Sequence, residues 1–423
     1  VRFDGSSEFG SDQKWAPFWS TGVGLNVHNY GFLKDNDVIN QLKVRVSYGQ
    51  TGKVNFPSYS AKTVYATNDR WYATGFGTQL KALGNHNLKW ETTNKLNMGT
   101  DLQFWHERIS LNFDYYYNKT VDLITDVSLP ASAGFTSYKD NLGETLNKGF
   151  DIQVRFDVYK DKDWNVSLWG NLNHNRNEIL KISDALRAYN QRVNEKYEAA
   201  ENAQGNVHLS EWGSEYSEPE MKYEEGASLT SIFAIRSLGI DPMTGNELFL
   251  YRDGSVSSLW KATETVRVGD EEPKASGSFG VNLTYKNLTL FASFAYDWGK
   301  QTYNQTLVDG VENADIENSN VDRRVLTQRW QKPGDIAPLR NIKDMNTSTM
   351  PTSRFVQDDN ELSLSALTLS YDFNTDWLKK IRLKMLRLEL STNDLFRAST
   401  VRLERGTSYP FARTFNFSLR ATF

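Results

Sequence analysis

Five histidines, His28, His86, His106, His174 and His208, are the side chains of this sequence best suited to moving a proton or holding a transition metal. Their spacing serves neither use. None lies in a His-Glu-x-x-His arrangement, which places two imidazoles on one helix face around zinc. His106 reads as a solvated turn residue. The chain has no cysteine, which excludes disulfides, thiolate metal sites and cysteine nucleophiles. No Gly-x-Ser-x-Gly elbow or phosphate-binding loop occurs. Gln357–Glu361 and Asp35–Asp37 offer the oxygen ligands that calcium takes. Neither has the spacing of the known calcium loop, so both read as solvated loops. A hydrolase would need Ser, His and an acid gathered at one rim, with His86, His174 and His208 as the bases to test. The sequence predicts no metal, no cofactor and no catalysis. Binding chemistry fits better. Trp71, Tyr72, Phe76, Trp212, Tyr216 and Trp260 fall in long polar stretches, where aromatic faces stack on sugars, pack on peptides, or fold the loops onto each other.

The elements that must carry these loops are strands. The last stretch, Arg413 to Phe423, alternates without a break: Phe415, Phe417, Leu419, Ala421 and Phe423 on one face, Thr, Asn, Ser and Arg on the other. Leu42, Val44, Val46 and Tyr48 oppose Lys43, Arg45 and Ser47. Phe150–Val158 sets Asp151, Gln153, Arg155 and Asp157 against an apolar face, and Trp164–Leu172 returns after a charged turn. Further strands cover Trp15–Val27, Trp90–Phe104, Ile109–Tyr117, Phe279–Tyr285, Leu288–Tyr296, Leu362–Phe373 and Leu386–Ser391. In the Leu362–Phe373 strand the alternation slips near Ala366. Either a β-bulge sits there or only its second half crosses lipid. Ile182, Leu186, Tyr189, Val193 and Tyr197 recur at helical steps and predict one amphipathic helix within a loop.

Composition allows two settings for such strands, a soluble β-rich domain or a transmembrane barrel. The apolar share is 39% and the mean hydropathy −0.58. No apolar run is long enough for a membrane-spanning helix, but a barrel hides its apolar residues at alternate positions. Aromatics are abundant at 13%, as membrane-interface girdles require. Trp90, Trp164, Tyr285 and Trp377 are the candidate belt residues. The net charge is −4 with both signs interspersed, which argues against nucleic acid. Connections alternate short and long, with turns near Trp105, Lys160, Lys286 and Asp376 and loops around 50–89, 176–273 and 299–361. A sandwich has no reason to gather its long loops at one end; outer-membrane barrels do so, with short periplasmic turns and long extracellular loops. The predicted fold is all-β: an antiparallel transmembrane barrel wall of about twelve strands.

The stretches Leu42–Gly52, Gly84–Phe104, Phe113–Leu123, Asn141–Phe150 and Gly239–Phe249, with the aromatic end at Phe423, carry a resemblance. The chain resembles the C-terminal part of SusC/RagA-type TonB-dependent transporters of Bacteroidetes, over nearly its full length. The resemblance implies that residues 1–423 form about twelve C-terminal strands of a barrel of about 22 strands. The plug, the TonB-binding box and the first strands would then lie outside this sequence. It implies nutrient import in the outer membrane, of oligosaccharides or peptides, with a periplasmic C-terminus. The expected partners are membrane lipid and lipopolysaccharide, a SusD-like lipoprotein lid, TonB through the missing N-terminal part, and the barrel-insertion machinery, which would read Phe415, Phe417, Leu419 and Phe423. A pair of barrels with two lids is implied too. Trp71, Tyr72, Phe76, Trp212, Tyr216 and Trp260 become candidates for contact with substrate or lid. Lys43, Arg45, Asp151, Arg155, Asp157, Arg387 and Glu389 would face the plug and lumenal water. The alternative is a SusC-like barrel with a structural or assembly role, or one captured part-way through insertion.

Overall fold

The computed structural model describes residues 1–6, 14–31, 33–34, 36–53, 62–72, 75–85, 88–128, 137–141, 143–203, 216–317, 320–341, 348–373, 378, 382–402 and 413–423. Its main element is one antiparallel sheet. Eleven strands follow one another in chain order: β1 (Ser20–Asn26), β2 (Ile39–Lys53), β3 (Glu91–Phe104), β4 (Ile109–Val121), β5 (Gly143–Lys160), β6 (Trp164–Ile182), β7 (Ala275–Tyr285), β8 (Leu288–Tyr303), β9 (Val356–Phe373), β10 (Met385–Asn393) and β11 (Thr414–Thr422). A short strand, Arg397–Ser399, adds to β9 beyond β10. Every sequence neighbour is a sheet neighbour, which is the meander that short turns between period-2 segments produce.

The two faces of this sheet are chemically opposite. One carries Val44, Val46, Tyr48, Met98, Phe113, Val154, Leu168, Phe279, Leu369, Leu390 and Phe417, all exposed. A water-soluble sheet would cover such a face. Here its exposed apolar side chains line up across the strands: Phe113 stacks on Phe150 and Phe279 on Phe294. The opposite face holds the charges and amides.

The slip near Ala366 is a β-bulge. Ser293 pairs with Ala366 while Phe294 pairs with Leu364, leaving Ser365 without a partner on β8. Both halves of β9 therefore keep their apolar side chains on the same face. The turn after β3 carries three successive left-handed residues, Trp105, His106 and Glu107, with φ near 60°. That places His106 in an exposed turn, as expected.

Several elements differ from the sequence reading. Trp15–Val27 is two strands: Trp15–Phe18 pairs with Arg2–Gly5, and only Ser20–Asn26 joins the main sheet. The chain leaves the wall after Val121. Ile124–Ser128 forms its own hairpin with Ser137–Asn141. The wall strands also extend further towards the long loops than alternation alone shows. β6 reaches Ile182, β8 reaches Tyr303 and β9 starts at Val356. Apolar alternation stops where a strand leaves the apolar band, but ladder hydrogen bonds continue in polar sequence. Gln357–Glu361 is accordingly strand, not loop. Asp35 and Trp377 lie outside the described residues, as does Asp376, where a short turn is expected.

Above one end of the sheet the long connections pack into a second layer. Helix α1 (Asp184–Ala203) begins after Ile182, which belongs to β6. Its buried stripe is Leu186, Val193, Tyr197 and Ala200, close to the predicted one. It packs with Ile235, Phe249, Tyr251, Trp260, Ala262 and Met350 into a core. A tight turn, Asp241–Gly245, follows the strand Arg236–Ile240. Asp241 accepts hydrogen bonds from the Met243 amide and the Thr244 hydroxyl, and Gly245 closes it at φ +75°.

Candidate functional site

Two surfaces meet at the long-loop end, the polar face of the sheet and the underside and interior of the loop layer. On the polar face, Arg45 of β2 reaches two strands at once. Its guanidinium lies 2.5 Å from Asp101 of β3 and 2.5 Å from Asp114 of β4. Gly99 makes room for it, since a Cβ there would come within 2.5 Å of Arg45 Nε. Arg387 binds Asp372 in the same cross-strand way at 2.5 Å, and Arg155 lies 3.2 Å from Asp157. Asp151 accepts from Asn173. Tyr116 donates to Asn175, whose amide in turn donates to Glu272. Lys43 and Glu389 are on this face by register. Paired and hydrogen-bonded charges in this number suit a wall turned towards water, because an unpaired charge against an apolar filling would be costly.

The loop layer holds a buried ion cluster. The Glu312 carboxylate is fully buried and accepts from Arg354 at 2.6 Å and from Thr349. Arg354 also meets Glu247 at 2.8 Å, and Glu247 accepts from Thr352. Arg340 lies 3.7 Å from Glu312, while Arg329 donates to the carbonyls of Val311, Glu312 and Arg340. Burial alone would raise the Glu312 carboxyl. The guanidiniums of Arg354, Arg340 and Arg329 outweigh it and hold the group below the usual carboxylate range. The cluster joins four stretches of chain, at Glu247, at Val311 and Glu312, at Arg329 and Arg340, and at Thr349–Arg354. Lys222 does similar work beside α1. Its buried ammonium donates to Asn194, Thr265 and the Ala262 carbonyl, and burial pushes it down to about 8.

A cavity of about 440 Å³ opens beside this cluster, lined by Trp260, Phe249, Met350, Glu247 and Arg340. A smaller one of about 220 Å³ is lined by Glu218, Glu220, Phe233 and Tyr303. Neither Glu247 and Arg340 nor Glu218 and Glu220 were singled out from sequence, because nothing in their spacing separates them from ordinary loop charges.

Among the residues predicted to bind, Trp260 is a core residue. It is only 7% exposed, its Nε1 donates to the Pro351 carbonyl, and its ring meets Tyr197 edge-on. One side of it still borders the larger cavity. Tyr216 packs on the same core, with Lys196 over its ring. Trp71, Tyr72 and Phe76 lie on the hairpin Val64–Tyr72/Gly75–Ala82, where Trp71 pairs with Phe76 and Tyr72 with Gly75. Trp212, His86 and His208 fall outside the described residues. Phe415, Phe417 and Leu419 share the exposed apolar face of β11, and the exposed Phe423 follows directly after it. Trp164 and Tyr285 are cross-strand partners with ring centroids 4.3 Å apart at the short-turn end, where a belt belongs. Trp90 is not a belt residue. It is 8% exposed in a small core with Phe18 and Leu88, just before β3 begins.

The described histidines, His28, His106 and His174, stay apart. His28 hydrogen-bonds the backbone of Leu42, and His174 contacts the Lys274 carbonyl and the Phe150 ring. Among the described residues no group of three potential metal ligands occurs. In Gln357–Glu361 two acids are matched with cations, Asp359 with Lys300 at 3.3 Å and Glu361 with Arg397 at 2.7 Å.

Comparison with known proteins agrees with this architecture. TonB-dependent receptor P3 of Formosa agariphila is 29% identical over all of this chain, which spans 43% of that relative. The receptor SusC of Bacteroides thetaiotaomicron is 35% identical over 43% of the chain. The structure of the RagAB peptide transporter superposes with a TM-score of 0.76 at 24% identity, over 94% of this chain and 41% of that one. The chain thus spans about two-fifths of the length of the full-coverage relatives it matches. The family model described as TonB dependent receptor-like, beta-barrel matches residues 1–220, and with more than half of its length matched the chain belongs to that family of outer-membrane barrels.

Proposed function

We propose that this chain forms the wall and outer loops of a TonB-energised importer for peptides or oligosaccharides, closed from outside by a SusD-like lipoprotein lid. One observation carries the reading. The loop layer folds into its own core directly above a charged, water-facing wall, and its cavities combine aromatic rings with paired charges. Such walls hold a ligand by stacking while leaving a polar path beneath it. The likeness to the RagAB peptide transporter is one of fold and makes peptides the first substrates to test.

In this reading the C-terminus and the turns near Trp105, Lys160 and Lys286 are periplasmic, and the loop layer is outside. Phe415, Phe417, Leu419 and Phe423 form the strand read by the insertion machinery. The barrels work as pairs, each with its lid. The plug and TonB box belong to the same transporter. The test is uptake of labelled oligopeptides and oligosaccharides by cells lacking the gene and by complemented cells, with and without a proton uncoupler. Uptake should depend on the gene and vanish with the uncoupler, and a lipoprotein should copurify. Unchanged uptake, with the insertion machinery copurifying in place of a lid, would instead favour the assembly role.

A further inference from the structure

The smaller loop cavity, of about 220 Å³, carries one sign of charge. Its lining includes the carboxylates of Glu218, Glu220 and Glu271 and no lysine, arginine or histidine among the described residues. Glu220 is matched with Lys196 from α1. Glu218 and Glu271 are exposed and have no basic group within 4 Å among the described residues. The surrounding sequence has the same sign. Residues 176–273 hold 18 acidic against 10 basic residues, whereas the whole chain is close to balance at 52 against 48. A cleft lined by one sign of charge concentrates the opposite one.

Two oxygens deeper in the lining point to a donor from outside. Gln305 Nε2 donates to Ser217 and to the Asp309 carboxylate, which fixes the orientation of the amide and leaves Oε1 as a pure acceptor. Oε1 is buried and accepts no hydrogen bond, and the Tyr303 hydroxyl in the same lining is buried and unmatched. Buried polar atoms in folded proteins are matched almost without exception, so an orphan acceptor lining a cavity marks a place for a ligand's N–H. The rest of the lining is apolar, with Met221, and with Ile232 and Phe233 buried on the strand Ser231–Ala234. Apolar surface for a methylene stem and acceptors alone for its head suit lysine or arginine. The volume is below the range of about 300–1,000 Å³ usual for whole small-molecule ligands and suits a single side chain. A bare metal ion fits less well, because no three potential ligands gather at metal-binding distance among the described residues.

We infer that this cavity takes a lysine or arginine side chain of an imported peptide, with Glu218, Glu220 and Glu271 drawing the cation in and Gln305 Oε1 accepting from it. The transporter then favours basic peptides over neutral ones. The inference rests on the reading of the chain as part of a peptide importer.

The test uses the transporter purified from its native outer membrane, with its lid where one copurifies. The probes are three fluorescent oligopeptides that differ at one central position, which is lysine, norleucine or glutamate. Norleucine keeps the stem of lysine and lacks its charge. Fluorescence anisotropy should show the lysine peptide bound about tenfold or more tighter than the norleucine peptide. Glu218→Gln/Glu271→Gln, which disturbs no ion pair among the described residues, should reduce that preference to about threefold or less. Glu195→Gln/Glu198→Gln removes the same charge from the exposed side of α1 and should leave it unchanged. Glu218→Lys/Glu271→Lys should turn the preference towards the glutamate peptide. Equal binding of the lysine and norleucine peptides to the native protein would overturn the proposal. So would a lysine preference that survives both replacements at Glu218 and Glu271, or one lost equally in the α1 variant. The importer reading fails in a different way. Gene-dependent, uncoupler-sensitive peptide uptake that ignores peptide charge would sink the cavity alone, whereas absence of both peptide uptake and peptide binding would sink the importer reading and the cavity with it.

Discussion

The wall and the loop layer solve opposite solvation problems with one sequence. In the wall, apolar side chains point away from the polypeptide and charges point towards a lumen. Val281, Leu283 and Phe279 lie on one face of β7 and Asn282 and Thr284 on the other. In the loop layer the order is conventional, with Tyr197, Trp260 and Ile235 inside. Yet the loop layer is the region that buries charge completely, in Glu312. The wall's ion pairs stay partly exposed, with Arg45 at 38%. The difference teaches what holds each together. The wall is held by ladder hydrogen bonds and an apolar exterior, so single lumenal pairs contribute little. The loops have few ladders, so a buried ion cluster and one core must join segments distant in sequence.

The sharpest way to break the comparison is to remove one partner of the buried cluster. Glu312→Ala leaves Arg354 with Glu247 as its one carboxylate partner and Arg340 without its facing carboxylate, and should destabilise the loop layer by about 3–5 kcal/mol. Limited proteolysis should then cut the loops while the wall keeps its heat-resistant mobility on gels. Loss of both together would show that the layers fold as one. Lowering the pH should act in the same direction. The Glu312 carboxyl is held down in the folded state, so its contribution is present above the usual carboxylate value near 4.5 and is lost as the pH falls through the folded one.

Next in size is a charge on the wall's outer face. Val281→Arg lies midway along β7 and should cost about 2–4 kcal/mol in a bilayer, whereas Asn282→Arg on the lumenal face should cost well under 1 kcal/mol. Urea unfolding in lipid vesicles measures both. Equal costs would mean that the two faces are not in different solvents.

The same contrast explains what the sequence discloses. The wall strands are legible because alternation is a local signal, and even the bulge at Ser365 shows as a phase slip between Ala366 and Leu367. Helix α1 is legible from the spacing of Leu186, Val193 and Tyr197. The loop core is not. Glu312, Arg354, Lys222 and Glu247 become special only through contacts across up to 107 residues, as between Glu247 and Arg354. Trp90 is the converse error: a tryptophan at a strand start fits a belt by pattern, but its neighbours Phe18 and Leu88 are set by tertiary structure. Trp260 likewise reads as a loop aromatic until Tyr197 is brought beside it.

Lys222 provides a prediction of intermediate size. Burial holds its ammonium at about 8 against a usual 10.5. Between those values the unfolded loop keeps a proton that the folded loop has shed, so folding gains from rising pH in that window. From pH 7.5 to 9.5 the gain should reach about 2 kcal/mol, read as slower hydrogen exchange in α1 relative to the wall. Lys222→Met should flatten this slope. A slope unchanged by the substitution would assign it to another group.

The smallest effect separates two costs around one turn. Gly239 and Gly245 both sit at positive φ, +95° and +75°. A Cβ on Gly239 would meet nothing within 4 Å, whereas one on Gly245 would come within 2.5 Å of the Trp330 ring. Gly239→Ala should therefore cost only the left-handed backbone penalty, about 1 kcal/mol. Gly245→Ala adds the displacement of an indole whose Nε1 is held by the Pro242 carbonyl, at least about 1 kcal/mol more. Thermal melts of the two variants, followed by Trp fluorescence, measure the difference. If it lies near zero, Trp330 moves freely and the loop layer is packed more loosely than the buried cluster beside it requires. A clear excess for Gly245→Ala, abolished by adding Trp330→Leu, would locate the second cost in that single ring contact.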